Sequence, residues 1–182
     1  MLALFVVSLM SLVASGYSEI SESIKTKIPY YEKFLTQEKV IFIDYSKPIT
    51  EKRLFVIDNN SKKILLSLHV GHAYRSGREV AENFSNTVNS RKSSLGIYKV
   101  GKRYKSNVFS YSYRVHGLEN QNSNAFARGI VIHEQGGDGI VVGNHNNPFY
   151  QLWSEGCFTL FPQDIKKLSP FLIKGTYLLV LK

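Results

Sequence analysis

The chain has 182 residues, enough for one ordinary domain and too few for two well-packed ones. Apolar residues make up 43% and charged residues 20% of the sequence, which excludes intrinsic disorder, collagen and a coiled coil. There are 23 Lys and Arg against 14 Asp and Glu, a formal net charge of +9. This charge favours an anionic partner such as nucleic acid, a membrane surface or an acidic wall polymer, although a generally solvated basic surface explains it equally well.

The first 14 residues are uncharged and mostly apolar. This run is too short to span a bilayer comfortably, but it matches the apolar core of a secretory signal peptide. Ala14 and Gly16 place small residues where a signal peptidase reads them. We therefore predict a signal peptide over residues 1–16, cleavage near Gly16, and export to the periplasm or cell envelope. A buried N-terminal helix is the alternative.

Residues 17–38 are predicted to form an N-terminal helical segment. Its apolar residues recur at three- or four-residue steps, at Ile20, Ile24, Ile28 and Tyr31. That spacing is typical of an amphipathic helix whose apolar face packs on a domain.

Residues 39–182 are predicted to form one mostly β domain. Short apolar runs typical of strands occur at 40–43, 54–57, 64–70, 96–100, 110–115, 129–132, 139–142 and 176–181. Pro162 can begin a helix that extends to about Leu172, and Gly175 then ends it. Strand-rich chains of this size usually form sandwiches or barrels, so we expect a β-sandwich-like domain with one or two peripheral helices.

Cys157 and His133 bracket a long polar, glycine-rich stretch of the sequence. His133 ends an apolar run, and Cys157, the single cysteine, comes 24 residues later, after Ser154-Glu155-Gly156. A lone cysteine excludes an internal disulfide and Cys₄ metal sites, and in an exported protein it favours a chemical role. An imidazole can convert the thiol to its nucleophilic thiolate. The pattern predicts a Cys–His nucleophilic site, with an inert buried cysteine as the alternative.

His133, the glycine-rich loop and Ser154-x-Gly156-Cys157 resemble the signature of YkuD-type L,D-transpeptidases. The sequence is more similar still to the branch called murein L,D-transpeptidase catalytic domain proteins. The stretches that carry this resemblance are IDYSKP (43–48), EKRLFVID (51–58), His72 with SG (76–77), FSN (84–86), SSLG (93–96), GLE (117–119) and NA (124–125) with Arg128.

The resemblance implies a β-sandwich-like catalytic domain that uses no metal and no organic cofactor. Cys157 would be the nucleophile and His133 the base. The backbone carbonyl after the histidine, here that of Glu134, would orient the imidazole. Ser154 and Gly156 would shape the turn whose N–H groups hold an oxyanion.

Three further residues are implied as substrate contacts, namely His72, Ser94 and Arg128. By analogy with the branch, His72 would lie at a strand end near the site. Arg128 can hold a substrate carboxylate through two hydrogen bonds, although a structural ion pair is an equally good explanation of its presence.

The implied reaction is a two-step acyl transfer on peptidoglycan stem peptides. The thiolate would cleave the diaminopimelate–D-Ala bond of a tetrapeptide and pass the acyl group to an amine of a second stem peptide. With water as the acceptor, the same site would be an L,D-carboxypeptidase. A secreted cell-wall-binding module with a chemically silent Cys157 is the alternative from another class.

Two departures from the branch bear on the site. Glu134 stands where the branch usually has glycine, and Phe158-Thr159-Leu160 stands where relatives tend to have Pro-Ala-Leu. The pair His133-Glu134 also resembles half of a zinc-protease His-Glu-x-x-His motif, but the fifth residue is Gly137, which argues against zinc.

A basic group interleaved with aromatic residues follows the middle of the chain. It comprises Lys99, Lys102, Arg103 and Lys105, with Tyr98 and Tyr104 among them. Such a group can bind nucleic acid, but the predicted export argues against that partner. Contact with an anionic cell-wall or envelope surface and a plain hairpin surface are the remaining interpretations.

Overall fold

The structure is a computed structural model that describes residues 18–109, 111–135 and 148–182. The predicted signal peptide over 1–16 and the predicted strand at 139–142 lie outside the described residues. Within the described ranges, no helix combines the length and the apolar character that crossing a bilayer requires.

The described residues form eight strands and three α-helices. The strands are β1 Lys39–Asp44, β2 Leu54–Asp58, β3 Ile64–Leu68, β4 Gly96–Tyr104, β5 Ser112–Gly117, β6 Val131–Glu134, β7 Phe158–Leu160 and β8 Tyr177–Leu181. The helices are α1 Glu22–Lys25, α2 Ile28–Glu32 and α3 Pro162–Leu168, with 3₁₀ turns at Pro148–Leu152 and Ser169–Phe171.

All eight strands belong to one curled sheet with the order β3-β2-β1-β8-β4-β5-β6-β7. Neighbouring strands are antiparallel except β1 with β8 and β6 with β7, which are parallel. The predicted mostly β fold is therefore confirmed, with three peripheral α-helices where one or two were expected. The main core lies against one face of this sheet, and it includes Tyr98, Val115, Ile132 and Phe158.

The N-terminal segment packs on the opposite face of the sheet. Ile24 and Ile28 are buried there in a second cluster with Phe42 and Phe55. The segment forms α1 and α2, two short helices, where the sequence periodicity predicted one continuous helix. Pro29 explains the break, because it lacks the N–H that would continue the hydrogen bonds of α1 and is tolerated at the second position of α2.

Two other elements differ from the sequence prediction. The helix that begins at Pro162 ends at Leu168 and continues as a 3₁₀ turn, because Pro170 cannot donate a backbone hydrogen bond there. Strand β7 was not predicted, because three residues are too few to show alternation. This short strand pairs in parallel with β6, and it sets the position of Cys157 relative to His133.

Candidate active site

His133 and Cys157 lie on neighbouring segments at one end of the sheet. His133 in β6 pairs with Thr159 in β7, and Cys157 immediately precedes β7. One strand spacing across and two residues along place the two Cα atoms roughly 8 Å apart. The Cys157 side chain is partly exposed, and its sulfur lies 3.8 Å from the carbonyl oxygen of Gly129. The fold therefore brings together two residues that are 24 positions apart in the sequence.

The imidazole of His133 is buried and held on several sides. Its Nδ1 donates a hydrogen bond of 2.7 Å to the carbonyl oxygen of Glu134. The ring of Phe109 stacks on it with 3.7 Å between centroids, and the Thr159 hydroxyl lies 3.5 Å from Nε2. Because a carbonyl only accepts hydrogen bonds, the proton of the neutral ring is assigned to Nδ1. The lone pair is then on Nε2, which is the tautomer that a general base at Nε2 requires.

Ser154 organises the turn that leads into Cys157. Its hydroxyl accepts a hydrogen bond of 3.1 Å from the Gly156 N–H and donates one of 2.7 Å to the Cys157 carbonyl. Its own N–H donates to the carbonyl of His72 at 3.1 Å. The Ser154 side chain thus stabilises the turn, and the Ser154 N–H connects the turn to the segment that follows β3.

Gly156 is required by the geometry of this turn. Its φ of +138° lies in the region that favours glycine, and a Cβ there would lie 2.6 Å from Cδ1 of Ile130 and 3.1 Å from Nη2 of Arg128. Burial lowers the pKa of the Arg128 guanidinium, while a deprotonated Cys157 would act in the opposite direction. The side chains of Arg128 and Cys157 therefore lie within range of an electrostatic interaction.

Arg128 fastens a neighbouring loop to the site. Its Nη1 donates to the carbonyl of Ser85 at 2.8 Å and to the hydroxyl of Ser94 at 3.1 Å, and its Nη2 donates to the carbonyl of Lys92. The Ser94 hydroxyl is buried and lies 2.6 Å from the hydroxyl of Tyr98. The predicted substrate contacts Arg128 and Ser94 therefore belong to one hydrogen-bonded network beside the Gly156 turn.

His72 is fully buried behind the Ser154 turn. Its Nδ1 accepts a hydrogen bond of 2.7 Å from the guanidinium of Arg53, and its Nε2 donates one of 3.0 Å to the carbonyl of Gly77. Burial, reinforced by the positive charge of Arg53, lowers the pKa of His72 to about 3. His72 therefore stays neutral, and its carbonyl receives the Ser154 N–H. This geometry fits a positioning role better than direct contact with a substrate.

Sequence reasoning did not single out Phe109 or Arg53. Phe109 belongs to the β4–β5 loop, and its position over His133 depends on how that hairpin folds. Arg53 is fully buried and donates to the carbonyls of Val70 and Lys47 in addition to His72. The signals available for Arg53 were its position directly before the apolar run of β2 and its place in the EKRLFVID stretch that resembles the family. Among the described residues, no group of three or more His, Cys, Asp or Glu side chains is arranged to hold a metal ion.

Comparison with solved structures identifies the class of fold. The helical cell shape determining protein Pgp2 of Campylobacter jejuni superposes with a TM-score of 0.50 at 11% identity, covering 85% of this chain and 55% of that one. Its K307A mutant gives a TM-score of 0.52 at 12% identity, covering 79% and 47%. An L,D-transpeptidase (Yku) from Stackebrandtia nassauensis gives 0.49 at 16% identity, covering 81% and 57%. The chain spans about half the length of these structures, and the Pgp2 matches show the fold alone.

The family of this chain is shown by its sequence. The model of the L,D-transpeptidase catalytic domain matches residues 14–181 of this chain. The chain therefore belongs to the L,D-transpeptidase catalytic domain family, which confirms the resemblance drawn from its motifs. No curated protein matches the chain in sequence.

Proposed function

We propose that this chain is a cysteine-dependent acyltransferase that acts on peptidoglycan stem peptides. Cys157 is the nucleophile and His133 is the base that forms its thiolate. The main support is the orientation of His133, whose Nδ1 donates to the Glu134 carbonyl on the strand that adjoins β7. That hydrogen bond leaves Nε2 as the basic nitrogen. We also propose that the protein is exported to the periplasm or cell envelope.

The first step forms a thioester. The Cys157 thiolate attacks the carbonyl that joins diaminopimelate to the terminal D-Ala of a tetrapeptide. Backbone N–H groups of the 154–157 turn hold the tetrahedral oxyanion. The geometry of this turn depends on the hydrogen bonds of the Ser154 hydroxyl. The C–N bond then breaks, and His133, protonated when it formed the thiolate, gives its proton to the departing D-Ala amine.

The second step transfers the acyl group to an amine. The amine of a second stem peptide attacks the thioester, His133 removes its proton, and the C–S bond breaks to release the thiolate. If water takes the place of the amine, the product is a shortened tripeptide and the enzyme is an L,D-carboxypeptidase. Arg128 and Ser94 lie beside the Gly156 turn, and we propose that this network positions the bound stem peptide.

The test is a single-turnover assay with purified stem tetrapeptide, with and without an amine acceptor. The wild-type protein is expected to release D-Ala and gain the mass of a thioester adduct, which the amine acceptor converts to a cross-linked product. Cys157→Ala is expected to lose the adduct and the release of D-Ala. Turnover that persists in this variant would contradict the thiol mechanism, and release without cross-linking would identify the carboxypeptidase.

His133→Ala in the same assay is expected to slow thioester formation by about 10²-fold or more, the usual effect of losing a general base. His69→Ala is the matched control, because the ring of His69 contacts Asp164, Phe149 and Phe161, none of which takes part in the proposed mechanism. An unchanged rate in His133→Ala would assign the base to another group.

A thiol-reactive probe separates the enzyme from a binding module. Because Cys157 is the single cysteine, labelling reports on it alone. The enzyme is expected to be labelled quickly near neutral pH, and His133→Ala is expected to require higher pH. Slow labelling with an ordinary thiol pKa of about 8.5 in the wild-type protein would favour a binding module with a silent cysteine.

A further inference from the structure

Four side chains form an arginine–aromatic cluster on the surface of the β4–β5 hairpin: Tyr104, Arg114, His116 and Phe126. The guanidinium carbon of Arg114 lies 4.6 Å from the centre of the Tyr104 ring and 5.6 Å from that of Phe126. The Phe126 ring in turn stacks on His116 at 5.6 Å with an angle of 8° between the planes. Phe126 is 59% exposed, so the cluster faces solvent.

The local backbone makes room for this cluster. Strand β4 has an irregularity in its pairing with β5 between Val100 and Arg103. At Gly101, a Cβ would lie 2.8 Å from Nε2 of His116 and 3.0 Å from Cβ of Arg114. Of the tyrosines interleaved with the basic group in the sequence, Tyr104 joins the cluster, whereas Tyr98 is buried in the core.

The cluster lies on the face of the sheet that carries His133. The pairs Tyr104–Ser112, Ser112–His133 and His133–Thr159 form one row across four adjacent strands. Paired residues point to the same face, and so do residues two apart along a strand, so Arg114 shares this face. One strand spacing across and two residues along place the Cα atoms of Arg114 and His133 roughly 8 Å apart.

The charge on these two strands is entirely positive. Strands β4 and β5 carry Lys99, Lys102, Arg103 and Arg114 and contain no Asp or Glu. Arg114 forms no ion pair with any carboxylate of the residues that the structure describes. An arginine held against aromatic rings loses little side-chain freedom on binding, and the N–H groups at the edge of its guanidinium match a carboxylate in bidentate geometry.

We propose that the arginine–aromatic cluster is a carboxylate-binding subsite that anchors the cell-wall polymer through the stem peptides beside the candidate active site. This inference rests on the proposed function for the identity of the polymer. Stem peptides with free carboxylates complement the positive charge of Arg114. The Cα separation of roughly 8 Å between Arg114 and His133 suits a polymer that presents one peptide to Cys157 while another part of it is held by Arg114.

The experiment measures co-sedimentation with purified, insoluble peptidoglycan sacculi. All variants carry Cys157→Ala, so binding is observed without turnover. Arg114→Ala is expected to weaken binding by about 10-fold or more, the scale of a lost charge-assisted hydrogen bond. Arg114→Lys keeps the charge but loses the planar fork, so it is expected to bind more weakly than the parent protein. Sacculi whose carboxylates have been amidated are expected to bind the parent and Arg114→Ala equally weakly.

Lys63→Ala is the matched control, because it removes one exposed positive charge beside the edge strand β3, at the far end of the sheet from β5. It is expected to bind within twofold of the parent, and thermal unfolding checks that each variant is folded. Full binding by Arg114→Ala, or full binding to amidated sacculi, would overturn the proposal. The binding readout is independent of D-Ala release. An inactive wild-type protein would therefore overturn the proposed function alone, and an active one whose Arg114→Ala variant binds fully would overturn the subsite alone.

Discussion

Glu134 contributes its main-chain carbonyl to the orientation of His133. The hydrogen bond of 2.7 Å from Nδ1 ends on a backbone oxygen, which every residue type possesses. The glutamate at a position where the branch usually has glycine is therefore compatible with the imidazole geometry that the resemblance implied. At position 134, the main-chain carbonyl orients His133, and the side chain takes no part in that hydrogen bond.

Glu134→Gly is accordingly expected to keep the rate of thioester formation within about threefold of the wild-type rate. Glycine in a strand costs about 0.5–1 kcal/mol of stability, so a small decrease in the free energy of unfolding is expected. The pH–rate profile is the sharper measurement, because a changed His133 orientation would shift it. A loss of rate as large as that of His133→Ala would show that the carboxylate itself is needed.

At the scale of elements, α1 and α2 complete the fold by covering part of the second face of the sheet, around β1, β2 and β8. Ile24 is 1% exposed and packs in the cluster that contains Phe42 and Phe55, whereas Tyr30 in α2 is 59% exposed. Helices of four and five residues are too short to be stable alone, so their order depends on this packing.

Ile24→Ala is therefore expected to lower the free energy of unfolding by about 2–5 kcal/mol, the range for truncating a buried Ile. Tyr30→Ala, in the same segment, is expected to change it by less than about 0.5 kcal/mol. Urea denaturation of the two variants measures the contrast. Equal and small effects would mean that the N-terminal segment does not dock on the sheet in solution.

At the scale of the whole molecule, the buried pair of His72 and Arg53 links stability to pH. The pKa of His72 is lowered to about 3, whereas an unfolded histidine titrates near 6.5. Between these values the unfolded chain binds a proton that the folded protein excludes. The stabilising contribution is therefore complete above pH 6.5, and it is lost progressively as the pH falls towards 3.

The expected loss from His72 is about 1.4 kcal/mol of unfolding free energy for each pH unit below 6.5. Urea denaturation at several values between pH 7 and pH 4 measures this slope. His72→Asn keeps a hydrogen-bond acceptor for Arg53 and does not titrate, so its slope is expected to be smaller by that amount. Identical slopes in the two proteins would show that His72 is not shielded from protons.

An element of the fold could be predicted from the sequence where its own residues form a recognisable apolar pattern. Runs of alternating or continuous apolar residues marked most of the strands, including β1, β2 and β8, because burial acts on every second residue or on the whole run. The three-residue strand β7 carries no such period, and the helix breaks at Pro29 and Pro170 depended on single residues within otherwise regular patterns.

For the candidate site, the sequence alone determined the residue types: one thiol, one histidine, and a serine and a glycine shortly before the thiol. Tertiary structure decided which groups surround them. Phe109 stacks on His133, Arg53 holds His72, and Arg114 lies on the face of the sheet that carries His133. These contacts depend on strand order and register. The local sequence of a strand does not indicate which distant strand it pairs with, so the contacts could not be predicted.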